Sequence, residues 1–371
     1  MNPKKIAFVI HGFPMGGAEK FLINLVNHFY KIGYAPLVIS LSEEKALLNE
    51  LDERIKVAFI LKKSRFDIFV SKRIKSKIIA EKINTVFCIN TYSFFLTKLA
   101  FIFDKRTKFY LSPHTTIPIS KKSYWQNIFY FRLLSNRDTV IYLCNAQKEY
   151  LEQKYFFHSK LQTVIYNGVD TNYFDSKKID TNSIDLLKAQ FSFSENAQII
   201  IQVARLQEEK CHLDSIDALY YLHNEFKTLA HLLVVGSGEK EYTESLQKHV
   251  QEKKLDSYVH FAGNQKDVRK FYCIADIFTL TSISETFSIA ALEAMAFGLP
   301  CSLTNVGGAK EMMIEGVTGM LSKPNDIKSI ATTWHQLLNS NIKGDFIRNY
   351  VIEHFSLDKM LQQYVQLVGE S

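Results

Sequence analysis

The alternation of apolar and polar positions divides the chain into two runs of strand and helix. Lys5–Ile10 reads as a buried strand. A glycine-containing loop follows, Gly12 to Gly17, and then Phe21, Leu22, Leu25, Val26 and Phe29 recur at helical spacing. Pro36–Leu41, Val57–Leu61, Thr85–Ile89, Lys108–Ser112 and Val140–Leu143 are further strands, with helices between most of them. The second run begins with Gln198–Val203 and continues through His231–Val235, Val259–Ala262, Ile277–Thr281 and Pro300–Thr304. Helices are expected at Leu213–Phe226, from 239 to about 253, and at Val268–Cys273, Ser288–Phe297, Ile327–Leu338, Ile342–Phe355 and Leu357–Val368. Strands that alternate with helices predict mostly parallel sheets covered on both faces. Ligand-binding loops then lie at the carboxyl ends of the strands.

A chain of 371 residues suits two domains rather than one core. Its 47% hydrophobic and 22% charged residues are those of a globular protein, and no repeat or low-complexity tract interrupts it. Charge divides it unevenly. Residues 1–165 carry a net +14 and residues 166–371 a net −7, which supports a boundary near residue 165. The five cysteines, Cys88, Cys144, Cys211, Cys273 and Cys301, include no C-x-x-C pair, so reduced thiols are expected and a zinc site is not. The apolar run Ile6–Ile10 is too short for a signal peptide, and Phe94–Phe103 is interrupted by Lys98. Neither approaches the ~20 apolar residues of a membrane span. A cytoplasmic location follows as the expectation.

Three segments carry candidate chemistry. Gly16-Gly17-Ala18-Glu19 opens a helix directly after the first strand. Free N–H groups at such a terminus suit a phosphate, although a plain strand-to-helix turn has the same glycines. The run is neither a Walker loop nor a dinucleotide fingerprint. Arg205 and Lys210 follow the strand Gln198–Val203 and form a candidate diphosphate clamp; charged loops of this kind are also often simply solvated. The most specific segment runs from Glu285 to Pro300. Glu285 lies in a loop, and Glu293 lies about two helical turns on among Ala290, Ala291, Leu292 and Ala294. Two carboxylates facing one ligand suit hydroxyl-rich molecules such as sugars.

This segment resembles the Glu-x7-Glu signature of the family 4 retaining glycosyltransferases of bacterial surface-polysaccharide type. Other pieces fall in that family's order: Gly16-Gly17-Ala18-Glu19, His114, Asn167-Gly168-Val169-Asp170, Arg205 with Lys210, Val235-Gly236-Ser237-Gly238-Glu239, Phe261-Ala262-Gly263, Ala275-Asp276, Gly307-Gly308-Ala309 and Glu315-Gly316-Val317-Thr318-Gly319. The resemblance implies the α/β GT-B fold, two Rossmann-like domains facing across a cleft. It implies an acceptor-binding domain at 1–168, a nucleotide-sugar-binding domain at 169–352, and a final segment, 353–371, that crosses back to the first domain. In similar enzymes Arg205 and Lys210 neutralise the leaving diphosphate, Glu285 binds the donor sugar and Glu293 the ribose. Gly236 and the N–H groups of Phe287, Ser288 and Ile289 belong to the same donor site. Gly16 and Gly17 contact the diphosphate from the first domain, and His114 lies beside the donor sugar. No protein nucleophile is expected, so catalysis rests on positioning and leaving-group stabilisation. The donor is a nucleotide diphosphate sugar, by analogy a UDP-sugar. Without a D-x-D sequence neither a metal nor another cofactor is expected. The chain departs from the family pattern at Thr286 and Cys211, where glycine is common.

The basic first half bears on the acceptor. Lys62, Lys63, Arg65, Lys72, Arg73, Lys75, Lys77 and Lys82 stand against only Asp67 and Glu81. Lys121, Lys122 and Arg132 are interleaved with Tyr124, Trp125, Phe129, Tyr130 and Phe131. Solvated helix faces and core packing account for such patterns; so does contact with an anionic membrane surface. The expected acceptor is a lipid-linked or lipopolysaccharide-type glycan, with the enzyme peripheral on the inner face of the cytoplasmic membrane. No pattern supports nucleic-acid binding. Rival readings are a sugar-nucleotide epimerase of the same fold and a non-catalytic binding protein that kept it.

Overall fold

The computed structural model describes residues 3–14, 16–63, 67, 69–117, 121–194, 196–342 and 344–369. The chain divides into two compact units. One comprises the residues up to Tyr166 together with those from Leu361 onward, and the other is Asn167–Met360.

The first unit is built on seven strands: β1 (Lys5–Ile10), β2 (Ala35–Ser40), β3 (Lys56–Phe59), β4 (Thr85–Ile89), β5 (Lys108–Ser112), β6 (Thr139–Tyr142) and β7 (Leu161–Val164). All pair in parallel, in the order β3-β2-β1-β4-β5-β6-β7. The order reverses between β1 and β4, where a parallel sheet opens a crevice at its carboxyl edge. Ile6–Ile10, Val86–Ile89 and Phe109–Leu111 are buried, which is why these strands read as unbroken apolar runs. The last helix, Leu357–Gly369, contributes Tyr364 to this core, its ring 5.5 Å from that of Phe21 and 6.0 Å from that of Phe87. Lys98, which interrupts an apolar stretch of sequence, is buried with its ammonium 2.7 Å from the Asp138 carboxylate. A buried charge persists only when it is paired in this way.

The second unit has six parallel strands: β8 (Gln198–Val203), β9 (Ala230–Val235), β10 (Val259–Gly263), β11 (Ile277–Leu280), β12 (Cys301–Thr304) and β13 (Gly319–Ser322). Their order is β10-β9-β8-β11-β12-β13, with the reversal between β8 and β11. Trp334 is fully buried against the sheet, and its indole N–H donates to Thr279 Oγ1 at 3.0 Å.

Two strands were not expected from the sequence. β7 is a sheet edge of four residues, Leu-Gln-Thr-Val, only partly buried, so no apolar run marks it. β13 is also an edge, and it starts at Gly319, where a Cβ would lie 2.2 Å from the Cys301 carbonyl oxygen. The glycine that reads as a turn residue is there so that β13 can close on β12.

Candidate functional site

In the second unit the candidate residues gather on the loops that leave β8, β9 and β11. Two of these loops are pinned together. Ala204 N–H donates to the Val235 carbonyl at 3.1 Å, and Leu206 N–H to the Ser237 carbonyl at 2.9 Å. Gly236 makes this approach possible: its φ is +150°, and a Cβ there would lie 1.9 Å from the Ala204 carbonyl oxygen. Arg205 sits between the two pinned residues with its side chain exposed, and it makes no hydrogen bond or ion pair with the described residues. An unneutralised guanidinium on a fixed backbone is a ready anion contact.

Lys210 ends the short 3-10 turn Glu208–Lys210. Its carbonyl is held from below by Thr281 Oγ1 at 3.1 Å and by the Gln202 side-chain amide at 3.3 Å. Ser215 completes this buried polar network, 2.7 Å from Gln202 Oε1 and 2.8 Å from Thr281 Oγ1. Cys211, next in the chain, takes a left-handed conformation (φ 48°, ψ 50°) that favours glycine, so this departure from the family pattern carries a backbone cost.

The Lys210 ammonium donates to Glu285 Oε1 at 2.7 Å, with both side chains more than four-fifths buried. Ser282 Oγ donates to the same oxygen at 3.0 Å. The Glu285 loop is fixed from its other side by Gly307 and Gly308. Gly308 N–H donates to the Thr286 carbonyl at 2.8 Å, and a Cβ on Gly307 (φ +53°) would lie 2.1 Å from the Glu285 carbonyl oxygen. Thr286 itself has no positive φ, so threonine fits where glycine is common. A crevice beside the loop is lined by Glu285, Thr286, Ser288, Leu303, Thr304 and Met312.

Ser288 caps the helix Ile289–Ala296, its Oγ accepting from Ala291 N–H at 3.3 Å. Phe287 turns its ring inward, 5.5 Å from that of Phe355, and its carbonyl accepts from the Asn167 side-chain amide at 3.0 Å. Glu293, on the same helix, is buried, and Tyr272 donates its hydroxyl to Glu293 Oε2 at 3.1 Å. Burial, and then the nearby Glu293 charge, push the Tyr272 phenol well above its ordinary range. It therefore stays a donor at any physiological pH.

The first unit holds the other three candidates. Gly16 caps the helix Gly17–Lys31 in an extended conformation. Phe21, one turn into that helix, packs its ring 4.5 Å from the ring of His114. His114 N–H donates to Asn90 Oδ1 at 2.8 Å, and its Nε2 lies 3.3 Å from Ser112 Oγ. Desolvation pushes the His114 imidazole down to about 3, so it is neutral at physiological pH.

Chemically, the second unit offers two cations, two carboxylates and a helix N-terminus on adjoining loops, a set that fits a phosphorylated, hydroxyl-rich ligand. Sequence reading does not find Tyr272, Asn90, Gln202 or Thr281, and it meets Asn167 only as part of Asn-Gly-Val-Asp, without its bond to Phe287. Arg65 of the basic segment lies outside the described residues. Among the described residues no cluster of three His, Cys, Asp or Glu side chains has metal-binding geometry, and no helix is long and apolar enough to cross a membrane.

Comparison with known proteins bears on the family and the fold. N-acetyl-alpha-D-glucosaminyl L-malate synthase of Bacillus anthracis is 32% identical over 197 residues, covering 52% of this chain and about half (51%) of that protein's length. The UDP-Gal:alpha-D-GlcNAc-diphosphoundecaprenol alpha-1,3-galactosyltransferase of Escherichia coli is 25% identical over 343 residues, covering 89% of this chain and 83% of the relative. Among solved structures, Anabaena HepE in complex with UDP matches with a TM-score of 0.86 at 21% identity, over 99% of this chain and 100% of that one. The same protein in complex with UDP-glucose matches with a TM-score of 0.85 at 22% identity, over 99% and 100%. These likenesses establish the GT-B fold. The family model "Glycosyltransferase Family 4" matches residues 15–173, and "Glycosyl transferases group 1" matches residues 183–354. The two follow each other along nearly the whole chain and take in the paired glutamates: this protein belongs to the family 4 glycosyltransferases.

Proposed function

We propose that this glycosyltransferase is a retaining enzyme that moves a sugar from a UDP-sugar to a lipid-linked or lipopolysaccharide-type glycan, without a metal ion. The observation that carries the reading is the Lys210–Glu285 pair, with Arg205 on the same loop as Lys210 and Glu293 one turn into the helix that follows Glu285. Arg205 and Lys210 take up the charge that grows on the diphosphate as the bond between the anomeric carbon and phosphate oxygen breaks. Each charge-assisted contact contributes about 1.5–3 kcal/mol. Glu285 holds donor-sugar hydroxyls, Glu293 the ribose hydroxyls, and the N–H groups from Phe287 to Ile289 the phosphate and sugar. His114, being neutral, hydrogen-bonds and does not act as the base. The leaving phosphate accepts the acceptor hydroxyl's proton on the face from which it departs, so configuration is retained. The Escherichia coli relative, named for a diphosphoundecaprenol-linked acceptor, and the UDP complexes of HepE support the choice of substrates.

The enzyme works, on this reading, at a membrane surface. The helix Lys121–Phe131 supports it: Trp125 and Phe129 are 68% and 55% exposed, and Lys121, Lys122 and Arg132 are exposed near its ends. Aromatic residues flanked by cations on an outward helix face suit an anionic lipid interface.

The test is UDP release from a panel of nucleotide sugars, with and without chelator, in the presence of a bacterial lipid extract. Chelator-insensitive release from one UDP-sugar, and an α-linked product from an α-linked donor, are expected. An inverted product removes the retaining mechanism, chelator sensitivity removes metal independence, and a free epimerised sugar nucleotide points instead to an epimerase. Flotation with anionic vesicles at low salt tests the membrane reading, which fails if the protein stays at the bottom of the gradient.

A further inference from the structure

At the carboxyl edge of the first sheet, three loops converge on one aromatic ring. Tyr92 is the second residue of the helix Thr91–Leu99, directly after β4. The ring of His11, the first residue beyond β1, lies 6.0 Å from it in an edge-on arrangement. Lys62, beyond β3, places its ammonium 4.7 Å above the same ring. His11 and Tyr92 flank the point between β1 and β4 where the strand order reverses, which is where parallel sheets receive ligands.

The lysine is uncommitted. It makes no ion pair with the described residues, and the nearby acid in sequence, Asp67, is bound instead by the Arg73 guanidinium at 2.6 Å and the Lys63 N–H at 2.9 Å. The ring holds the ammonium by a cation–π contact and leaves N–H donors for a ligand. The surrounding unit carries a large positive excess, which raises the local concentration of anions. Asn90, two residues before Tyr92, accepts the His114 N–H at 2.8 Å, which ties the candidate donor-sugar histidine to the same loop.

We infer that Lys62, Tyr92 and His11 form a subsite for the diphosphate of a lipid-diphosphate-linked glycan acceptor. Lys62 supplies the charge, Tyr92 fixes it, and His11 adds a ring N–H. The inference rests on the acceptor class proposed above and gives it a location.

The experiment is calorimetric titration of UDP-saturated full-length protein with two probes, inorganic pyrophosphate and farnesyl diphosphate. Saturation with UDP removes the donor site from the measurement. Both probes are expected to bind, with farnesyl diphosphate at least as tight as pyrophosphate. Lys62→Ala and Tyr92→Ala are expected to weaken both about tenfold or more. Tyr92→Phe, which keeps the ring, and Lys72→Ala, on an exposed helix face, are expected to behave as the unsubstituted protein. Equal binding by Lys62→Ala overturns the subsite, as does failure of both probes to bind. Binding of pyrophosphate with exclusion of farnesyl diphosphate overturns the lipid assignment. UDP affinity, measured on the same samples, stays unchanged in every variant; if UDP does not bind at all, the donor reading fails independently of this one.

Discussion

Lys210 and Glu285, seventy-five residues apart, share a hydrogen bond of 2.7 Å that joins the proposed diphosphate cation to the proposed sugar carboxylate. Without a ligand each neutralises the other, so a donor has to replace the contact it breaks. The two substitutions should therefore separate. Glu285→Gln frees the ammonium, and UDP affinity is expected to hold or rise severalfold while sugar transfer falls at least a hundredfold. Lys210→Ala is expected to weaken UDP binding and transfer together, each ten- to a hundredfold for ~1.5–3 kcal/mol. Calorimetric UDP binding beside initial rates distinguishes the two patterns. If Glu285→Gln loses UDP binding as fully as Lys210→Ala, the pair acts as one structural unit.

Tyr272 acts on the donor only through Glu293, to which it donates at 3.1 Å. Tyr272→Phe removes that hydrogen bond and leaves the ring in the core. A loss of about 1.5 kcal/mol, roughly tenfold in UDP affinity, is expected, with kcat within about twofold. The preference for UDP over 2′,3′-dideoxy-UDP should shrink by the same factor. A variant that merely destabilises the fold lowers Tm and leaves this preference intact.

Cys211 occupies left-handed backbone (φ 48°) where a side chain costs about 1–2 kcal/mol. Glycine relieves that cost and returns part of it as unfolded-chain entropy. Cys211→Gly is expected to raise the stability of the second unit by about 0.5–1 kcal/mol, or about 2 °C in Tm. Differential scanning calorimetry reads this directly, and a lower Tm shows that the thiol's packing outweighs the strain.

Desolvation drives His114 down to about 3 and His212 and His260 to about 4, with charge from Lys210 and His231 adding to the last two. In the unfolded chain these imidazoles bind protons near pH 6.5. Between about pH 6.5 and 4 the unfolded state therefore holds more protons than the folded one, and stability falls as pH falls. The full contribution is present above about pH 6.5. Urea unfolding at pH 7.5, 6.0 and 5.0 is expected to show a falling midpoint before the carboxylates titrate; a flat midpoint contradicts burial of neutral imidazoles. Because His114 stays neutral throughout, replacing it should not shift the acid limb of the rate profile.

The parallel sheets were legible because their central strands are buried on both faces, so Ile6–Ile10 and Ile199–Ile201 appear as unbroken apolar runs. β7 was not, because Leu-Gln-Thr-Val makes no apolar run, and β13 was not, because its first residue, Gly319, reads as part of a turn. The charged candidates were singled out by type and spacing, and their roles by resemblance alone. Their supports were not, because contact, not spacing, defines them. Tyr272 meets Glu293 across 21 positions, His114 meets Asn90 across 24, and Asn167 meets Phe287 across 120. The segment 121–134 was ambiguous in sequence, where aromatic residues serve a core or a surface equally. Accessibility separates Trp125 and Phe129 from the buried Tyr130 and Phe131.

Gly307 and Thr286 stand on two loops joined by the Gly308–Thr286 hydrogen bond, yet they leave unequal room for change. Any side chain at 307 would displace the Glu285 backbone, so that position is closed to drift. Thr286 lies in ordinary backbone with its carbonyl, not its side chain, bonded to Gly308. The bond that ties the loop at 286 is thus one that any residue's carbonyl supplies, whereas the close approach at 307 admits glycine alone.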